Sequence, residues 1–202
     1  MLILLGLGGS HVDPGAIVPV NCTLPAHCSL PCYSKPFRLK EGGGYRRAGH
    51  NEARVLYHPE VFSAGDVVVD VGAFEGNDLA RVLRKRMPPI AVHAYEPVAA
   101  IRERLARNVA PFRQVTVHPF GIGSANRTSC FIGVGQDAHE RGAHACRQPS
   151  EVVDVAWAIS PFERIKLLHI NCEGCELQVM RRILASGVLS KISLIEMQVV
   201  PR

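Results

Sequence analysis

The chain has 202 residues, of which 47% are hydrophobic and 20% are charged. This size and balance are typical of one globular domain with a full core and exclude disorder as the general state. The formal net charge of +5 is mild, and its basic residues are scattered or lie on predicted helix faces, so we expect no nucleic-acid partner. The apolar opening run, residues 1–7, is too short to cross a bilayer, so we expect no membrane span.

Residues 1–49 are predicted to form an irregular N-terminal extension or a processed leader. From about residue 10 onward this segment is rich in Pro, Gly, Cys and Ser and has no sustained period. The odd number of cysteines, seven, leaves one thiol unpaired if disulfides form, and two glycosylation sequons would matter only in a secreted protein. No basic residue precedes the apolar opening run, as it would in a typical signal peptide. Cytoplasmic and secretory locations both stay open.

Residues 50–202 are predicted to form one α/β domain. Apolar runs predict five strands, at residues 67–71, 90–95, 115–118, 165–170 and 192–197. Helices are predicted between them at residues 77–87, 97–108 and 173–186. Residues 128–134 fit a short extra strand, and a loop follows to about residue 150. Such an alternation of strands and helices implies a mainly parallel sheet with right-handed crossovers.

Acidic residues and glycines follow the first two predicted strands. In open α/β sheets ligands bind beyond the carboxyl ends of the strands, at the point where the strand order reverses. The first loop offers glycines and a helix N-terminus, and the acidic residue after the second strand can accept hydrogen bonds from a ribose diol. The candidate cofactor-binding residues are Asp70, Gly72, Ala73, Gly76, Glu96 and Pro97.

The spacing of the glycines discriminates between two nucleotide cofactors. The Gly-x-Gly-x-x-Gly fingerprint that cradles a pyrophosphate is absent from the loop after the first strand. S-adenosylmethionine has no pyrophosphate, and its ammonium group favours a nearby carboxylate such as that of Asp70. The sequence therefore favours S-adenosylmethionine, and a nicotinamide-dependent oxidoreductase ranks last.

Four motifs occur in chain order: Val69-Asp70-Val71-Gly72-Ala73, His93-Ala94-Tyr95-Glu96-Pro97, Gly121-Ile122-Gly123-Ser124 and Ile170-Asn171-Cys172-Glu173-Gly174-Cys175-Glu176. Together, over residues 65–198, they resemble the FkbM family of S-adenosylmethionine-dependent methyltransferases. The resemblance implies a Rossmann-like methyltransferase fold, in which we expect the sheet order 3-2-1-4-5. It also implies that Asp70, Gly72 and Gly76 line the methionine moiety and that Glu96 holds the ribose. The implied reaction is O-methylation of a hydroxyl on a sugar or small molecule.

Two features depart from that family. Asn171 stands where many members have Asp, and an amide cannot act as a general base, although it can orient a substrate or cofactor. The sequence given also stops just after the fifth strand, so we expect the sheet to lack the last strand pair and to expose the fifth strand to a dimer contact. A catalytically inactive relative that binds a cofactor or a partner protein is therefore the alternative function.

The candidate catalytic residues are Asn171 and Glu173. Glu173 can accept a hydroxyl proton, but a carboxylate at the start of a predicted helix is equally explained by the helix dipole. Three histidines are further candidate proton acceptors, none of them assigned: His118, His139 and His144.

The remaining motifs are interpreted as structural. Cys172 and Cys175 form a Cys-x-x-Cys outside any thioredoxin-like context, so we interpret them as packing residues, with redox and metal roles as lesser alternatives. Trp157 and Phe162 are assigned to core packing rather than to a pocket wall. No metal site is predicted.

Overall fold

The structure is a computed structural model that describes residues 2–7, 59–85, 87–132, 139–141 and 149–199. The strands are β1 Leu2–Leu7, β2 Val67–Val71, β3 Ala91–Tyr95, β4 Val115–His118, β5 Gly121–Gly123, β6 Arg127–Ile132, β7 His139–Arg141, β8 Ser150–Asp154, β9 Ile165–Ile170 and β10 Ile192–Val199. The α-helices are α1 Asn77–Leu83, α2 Ala99–Val109, α3 Val155–Ala158 and α4 Glu176–Ser186, and 3-10 helices lie at Pro59–Val61 and Val188–Lys191.

Six parallel strands form the main sheet in the order β1-β10-β9-β2-β3-β4. The five strands predicted from the sequence take the order 3-2-1-4-5 within it, so the α/β, Rossmann-like fold class is confirmed. The order reverses between β2 and β9, whose carboxyl ends lie side by side. This reversal is where an open α/β sheet offers a crevice for a ligand.

The strand β1 was not expected. Residues 2–7 belong to the segment predicted to be an irregular extension or leader, but they pair along the whole of β10, from Leu2 against Leu194 to Leu7 against Val199. The fifth predicted strand is therefore not an open edge, because the backbone groups of its outer side are paired within the chain. A dimer contact along β10 would require β1 to be displaced. The proposed boundary at residue 49 lies outside the described residues.

A second, smaller sheet lies between β4 and α3 in the chain. Its strands take the order β5-β8-β6-β7, with β5 parallel to β8 and the other pairs antiparallel. Only β6 was anticipated, by the apolar run at residues 128–134.

The core lies on both faces of the main sheet. Val69 and Val71 pack on the face that α3 and α4 cover, whereas Val68 packs with the residues of α1 and α2 on the other face. This two-sided burial explains why the central strands read as continuous apolar runs. No helix in the described ranges is long and apolar enough to cross a membrane.

Three helix boundaries differ from the prediction by two residues or more. The helix α2 begins at Ala99 rather than at residue 97, with Val98 at its N-cap. The helix α1 ends at Leu83 rather than at residue 87. The helix α4 begins at Glu176 rather than at residue 173, because Glu173 and Gly174 have φ angles of 53° and 118°, outside the helical region. Glu173 therefore lies in the loop before α4 rather than in its first turn, whereas Glu176 is the acidic residue of that first turn.

Candidate functional site

The loop after β2 passes close to two neighbouring segments, which explains two of its glycines. Gly72 has a φ of 80°, and a Cβ atom there would overlap the backbone carbonyl of Asn171. Gly76 has a φ of 68°, and a Cβ atom there would overlap the side chain of Leu105 in α2. These glycines are predicted to make room for a ligand. The structure gives each an internal reason as well: a left-handed backbone and close packing.

Asp70 lies near the carboxyl end of β2 and is buried, with an exposed fraction of 5%. Its Oδ1 lies 2.7 Å from Nδ1 of His169, its register partner on β9. Since an ionised carboxylate only accepts hydrogen bonds, the His169 ring donates through Nδ1 and leaves the second carboxylate oxygen for another donor. His169 was not predicted as a site residue. The signal was its position near the carboxyl end of the apolar run at 165–170, whose other ionisable residue, Lys166, lies at the opposite end.

Glu96 follows β3 and is equally buried, with an exposed fraction of 5%. Its Oε1 accepts a hydrogen bond from the amide of Val98 at 2.9 Å, and its Oε2 accepts one from the amide of Phe74 at 3.2 Å. Burial raises the pKa of Glu96 to about 7, although the two amides and the charge of Arg102 act in the opposite direction. The desolvation of the carboxylate outweighs all three favourable contacts.

The two carboxylates lie on the same face of the sheet, on neighbouring strands. Asp70 pairs in register with Ala94, and Glu96 follows Ala94 by two residues, just past the end of β3, so the side-chain alternation continued from β3 places both on one side. The negative charge of Asp70 contributes to raising the pKa of Glu96. The site thus contains two buried acids that lie close enough for the charge of Asp70 to act on Glu96.

Ala73 and Pro97 complete the predicted cofactor set. The amides of Gly72 and Ala73 both donate to the carbonyl of Tyr95 at 3.1 Å, which ties the first loop to β3. The carbonyl of Pro97 accepts a hydrogen bond from the hydroxyl of Ser150 at 2.9 Å, so this proline joins the main sheet to the smaller sheet.

Asn171 stands directly after β9, on the other side of the strand-order reversal from β3. Its amide donates to the carbonyl of Val71 at 2.9 Å, which fixes the loop against β2. Its side-chain Oδ1 is buried and has no hydrogen-bond partner among the described residues. An unmet acceptor in this position is energetically costly unless a ligand supplies the donor.

Backbone strain is concentrated at the same place. Among the described residues, Phe74 and Glu173 are the non-glycine residues with positive φ, at 52° and 53°. They lie in the loops that follow the two adjacent strands β2 and β9. Such conformations cost of order 1–3 kcal/mol each and cluster at functional sites.

The loop before α4 is held by a carboxylate and by a disulfide. Glu176 is 2% exposed and accepts hydrogen bonds from the amides of Cys172, at 3.1 Å, and Gly174, at 3.0 and 3.2 Å. Cys172 and Cys175 are joined by a disulfide, with Cα atoms 5.5 Å apart. The interpretation of these cysteines as packing residues alone is therefore wrong. No cluster of three or more metal-ligating side chains occurs in the described part of the chain.

The histidine and aromatic candidates form a separate group on β3 and β4. Nε2 of His118 lies 3.0 Å from Nδ1 of His93, and burial lowers the pKa of both rings. The ring of His118 stacks on Tyr95, with centroids 4.3 Å apart. Phe162 packs against the core as predicted, whereas Trp157 is 61% exposed and is not a core residue. The side chains of two other candidates lie outside the described residues: His139 and His144.

Comparison with solved structures gives a likeness of fold. No family model matches the sequence, and no curated protein matches it. Among solved structures, the chain is similar to the methyltransferase FkbM from Methylobacillus flagellatus KT, with a TM-score of 0.48 and 20% sequence identity over 66% of this chain. The match spans about a third of that protein's length, since it covers 33% of that chain.

Proposed function

We propose that this chain binds S-adenosylmethionine and transfers its methyl group to a hydroxyl of a small molecule or glycan. The observation that carries the proposal is the pair of buried carboxylates, Asp70 and Glu96, on one face of neighbouring parallel strands. The motif resemblance to the FkbM family supports the same cofactor.

The chemistry of the site fits this cofactor. S-adenosylmethionine presents hydrogen-bond donors: an ammonium group, two ribose hydroxyls and an adenine amino group. The site presents acceptors, including the unmet Oδ1 of Asn171 and the two buried carboxylates. Asp70 suits the ammonium group because it is a buried carboxylate next to the strand-order reversal, and Glu96 suits the ribose diol.

The same loop is a poor phosphate site, which argues against a nicotinamide cofactor. An anion nest needs free backbone amides at the turn. The amides that would form one already donate to protein oxygens at distances between 3.0 and 3.2 Å, namely those of Gly72, Ala73, Phe74 and Gly76. Two buried acids next to this loop would also repel a pyrophosphate.

The bound cofactor would supply a methyl group already activated on a sulfonium. The protein therefore needs chiefly to orient the acceptor hydroxyl and to exclude water. We assign orientation to the amide side chain of Asn171, which cannot take a proton. We assign acceptance of the hydroxyl proton to Glu173, whose left-handed backbone holds it in the loop between β9 and α4.

Isothermal titration calorimetry with S-adenosylmethionine tests the site. We expect Asp70→Asn and Glu96→Gln each to weaken binding by about tenfold or more, because each removes a charge-assisted acceptor worth about 1.5–3 kcal/mol. The matched control is Glu151→Gln, at an exposed carboxylate on β8, which should leave the affinity unchanged. Tight binding that neither substitution affects would exclude this site.

The second candidate function is a non-catalytic cofactor- or partner-binding protein. The observation that favours it is Asn171 in the position where the resemblance leads one to expect a carboxylate. Incubation with labelled S-adenosylmethionine and a panel of glycans and small hydroxylated acceptors separates the two. Binding without turnover, in both the wild type and Asn171→Asp, would favour the non-catalytic function.

A further inference from the structure

We propose that the disulfide between Cys172 and Cys175 is a thiol–disulfide exchange site, and that its reduction by a dithiol releases the loop joining β9 to α4. Both cysteines lie within the fourth motif of the resemblance, which assigns them no role, and the proposed reaction does not use them. The cross-link closes a segment of four residues that lies next to two candidate site residues: Asn171 immediately before it and Glu173 within it.

The two sulfurs differ in accessibility, which sets the direction of attack. Cys172 is partly exposed in the loop, whereas Cys175 is 7% exposed and caps the N-terminus of α4. A thiolate of the external dithiol attacks Sγ of Cys172, the disulfide bond breaks, and the electron pair goes to Sγ of Cys175, which then takes a proton. The second thiol of the reductant displaces Cys172 from the mixed disulfide. Two electrons and two protons thus pass from the dithiol to the protein.

The oxidised loop is held in a conformation that the chain does not favour by itself. Glu173 has a φ of 53°, and the sequence predicts that the helix begins at this residue rather than at Glu176. Opening the cross-link removes the covalent constraint on the segment, while the hydrogen bonds from Cys172 and Gly174 to the Glu176 carboxylate remain. We therefore expect Glu173 to leave the left-handed region in the reduced protein and the helix to begin earlier.

This change has a consequence for the cofactor site, which rests on the function proposed above. The backbone amide of Asn171 donates a hydrogen bond to β2, and Asn171 directly precedes Cys172 in the chain. Release of the loop moves its unmet Oδ1 and the carboxylate of Glu173 relative to Asp70. We expect cofactor affinity to fall by about tenfold, equivalent to about 1.4 kcal/mol, when the pair is reduced.

The experiment uses the full chain equilibrated in dithiothreitol buffers of graded redox composition, then alkylated and analysed by mass spectrometry. We expect Cys172 and Cys175 to be labelled together, at reductant levels that leave Cys130 unlabelled. Cys130 is the internal control because it is also disulfide-bonded but only 1% exposed. Labelling of all three cysteines at one reductant level, or of this pair only on unfolding, would overturn the proposal.

Hydrogen exchange supplies a readout that does not depend on the cofactor. The amides of Cys172 and Gly174 should exchange about tenfold faster in the reduced form. Cys172→Ser with Cys175→Ser should show the fast exchange in every buffer, with no redox dependence. Equal exchange in both redox forms would refute the release of the loop. If exchange changes but neither form binds S-adenosylmethionine, the cofactor assignment fails and the exchange site stands.

Discussion

The substitution Glu96→Gln gives the sharpest test of the electrostatics of the site. The carboxylate is 5% exposed, and burial raises its pKa from 4.5 to about 7 in spite of two backbone amide donors. At about 1.36 kcal/mol for each pKa unit, this change corresponds to about 3 kcal/mol of folding free energy. That is a large part of the 5–15 kcal/mol by which a typical domain is stable.

The raised pKa determines the direction of the pH effect. Below pH 4.5 the carboxyl is protonated in both the folded and the unfolded chain and contributes no penalty. Between pH 4.5 and about 7 the unfolded chain ionises while the folded chain keeps its proton, so the free energy of unfolding falls as the pH rises. Above about pH 7 the full penalty is present, because the folded protein must hold a buried charge.

The assay is urea unfolding of the wild type and Glu96→Gln at half-unit steps from pH 4.5 to 8.5. We expect the stability of the wild type relative to the variant to fall by about 3 kcal/mol across this window, since glutamine mimics the protonated acid. The exposed control Glu151→Gln should give a difference that is independent of pH. The reasoning is refuted if the stability of the wild type relative to Glu96→Gln stays constant or rises as the pH increases. Such a result would show that the amides of Phe74 and Val98 offset or outweigh desolvation.

The same substitution connects stability to binding. Ribose hydroxyls donate hydrogen bonds to an ionised carboxylate, so bound S-adenosylmethionine should favour the charged form of Glu96. We expect binding at pH 6 to release up to one proton, seen as a dependence of the calorimetric enthalpy on the buffer. Glu96→Gln should abolish that dependence. If the dependence is unchanged in the variant, another group releases the proton.

Three further predictions concern stability. Asn171→Leu removes a buried unmet acceptor, so it should raise the free energy of unfolding without cofactor by about 1 kcal/mol, or the melting temperature by about 2–4 °C. A loss of stability would show that Oδ1 has a donor in the folded chain. Gly72→Ala should lower the free energy of unfolding by about 3 kcal/mol or more in chemical denaturation, because its Cβ would overlap the Asn171 carbonyl. The control Gly65→Ala has a similar φ of 85° but open space around it, and should cost only about 1–2 kcal/mol. Equal losses would assign both effects to the backbone angle. The Asp154 carboxylate accepts a hydrogen bond from the amide of Ala156, which caps α3, and it pairs with Arg182 of α4 at 2.7 Å. Asp154→Ala should therefore lower the free energy of unfolding by about 1–2 kcal/mol in thermal unfolding. Asp154→Asn keeps the cap and should cost clearly less.

The sequence by itself determined the layout of the sheet. Continuous runs of β-branched and aliphatic residues, such as residues 67–71, are typical of strands buried on both faces. The alternation of such strands with helices restricts the sheet to a small number of topologies. The same reasoning located Asp70 and Glu96, because acidic residues directly at the ends of apolar strands are visible in one dimension.

Only the tertiary structure decided what those residues touch. The pairing of Asp70 with His169 joins residues 99 positions apart, and the surroundings of Asn171 depend on how the segment after β9 packs against β2 and the loop that follows it. The glycines of the first loop illustrate the difference most clearly. Gly72 reads in the sequence as room for a ligand, but the neighbour that requires it is the backbone of Asn171, brought there by the parallel pairing of β2 and β9.

The N-terminal strand β1 is likewise defined by a contact between distant segments of the chain. The run at residues 2–7 is too short to be assigned from its own pattern, since six apolar residues suit a strand, a buried helix turn or a leader equally well. Its pairing with β10 supplied the missing information. Local patterns determine which segments are strands and where polar groups interrupt them, whereas hydrogen-bond partners, burial and the pKa of Glu96 depend on contacts between segments far apart in the chain.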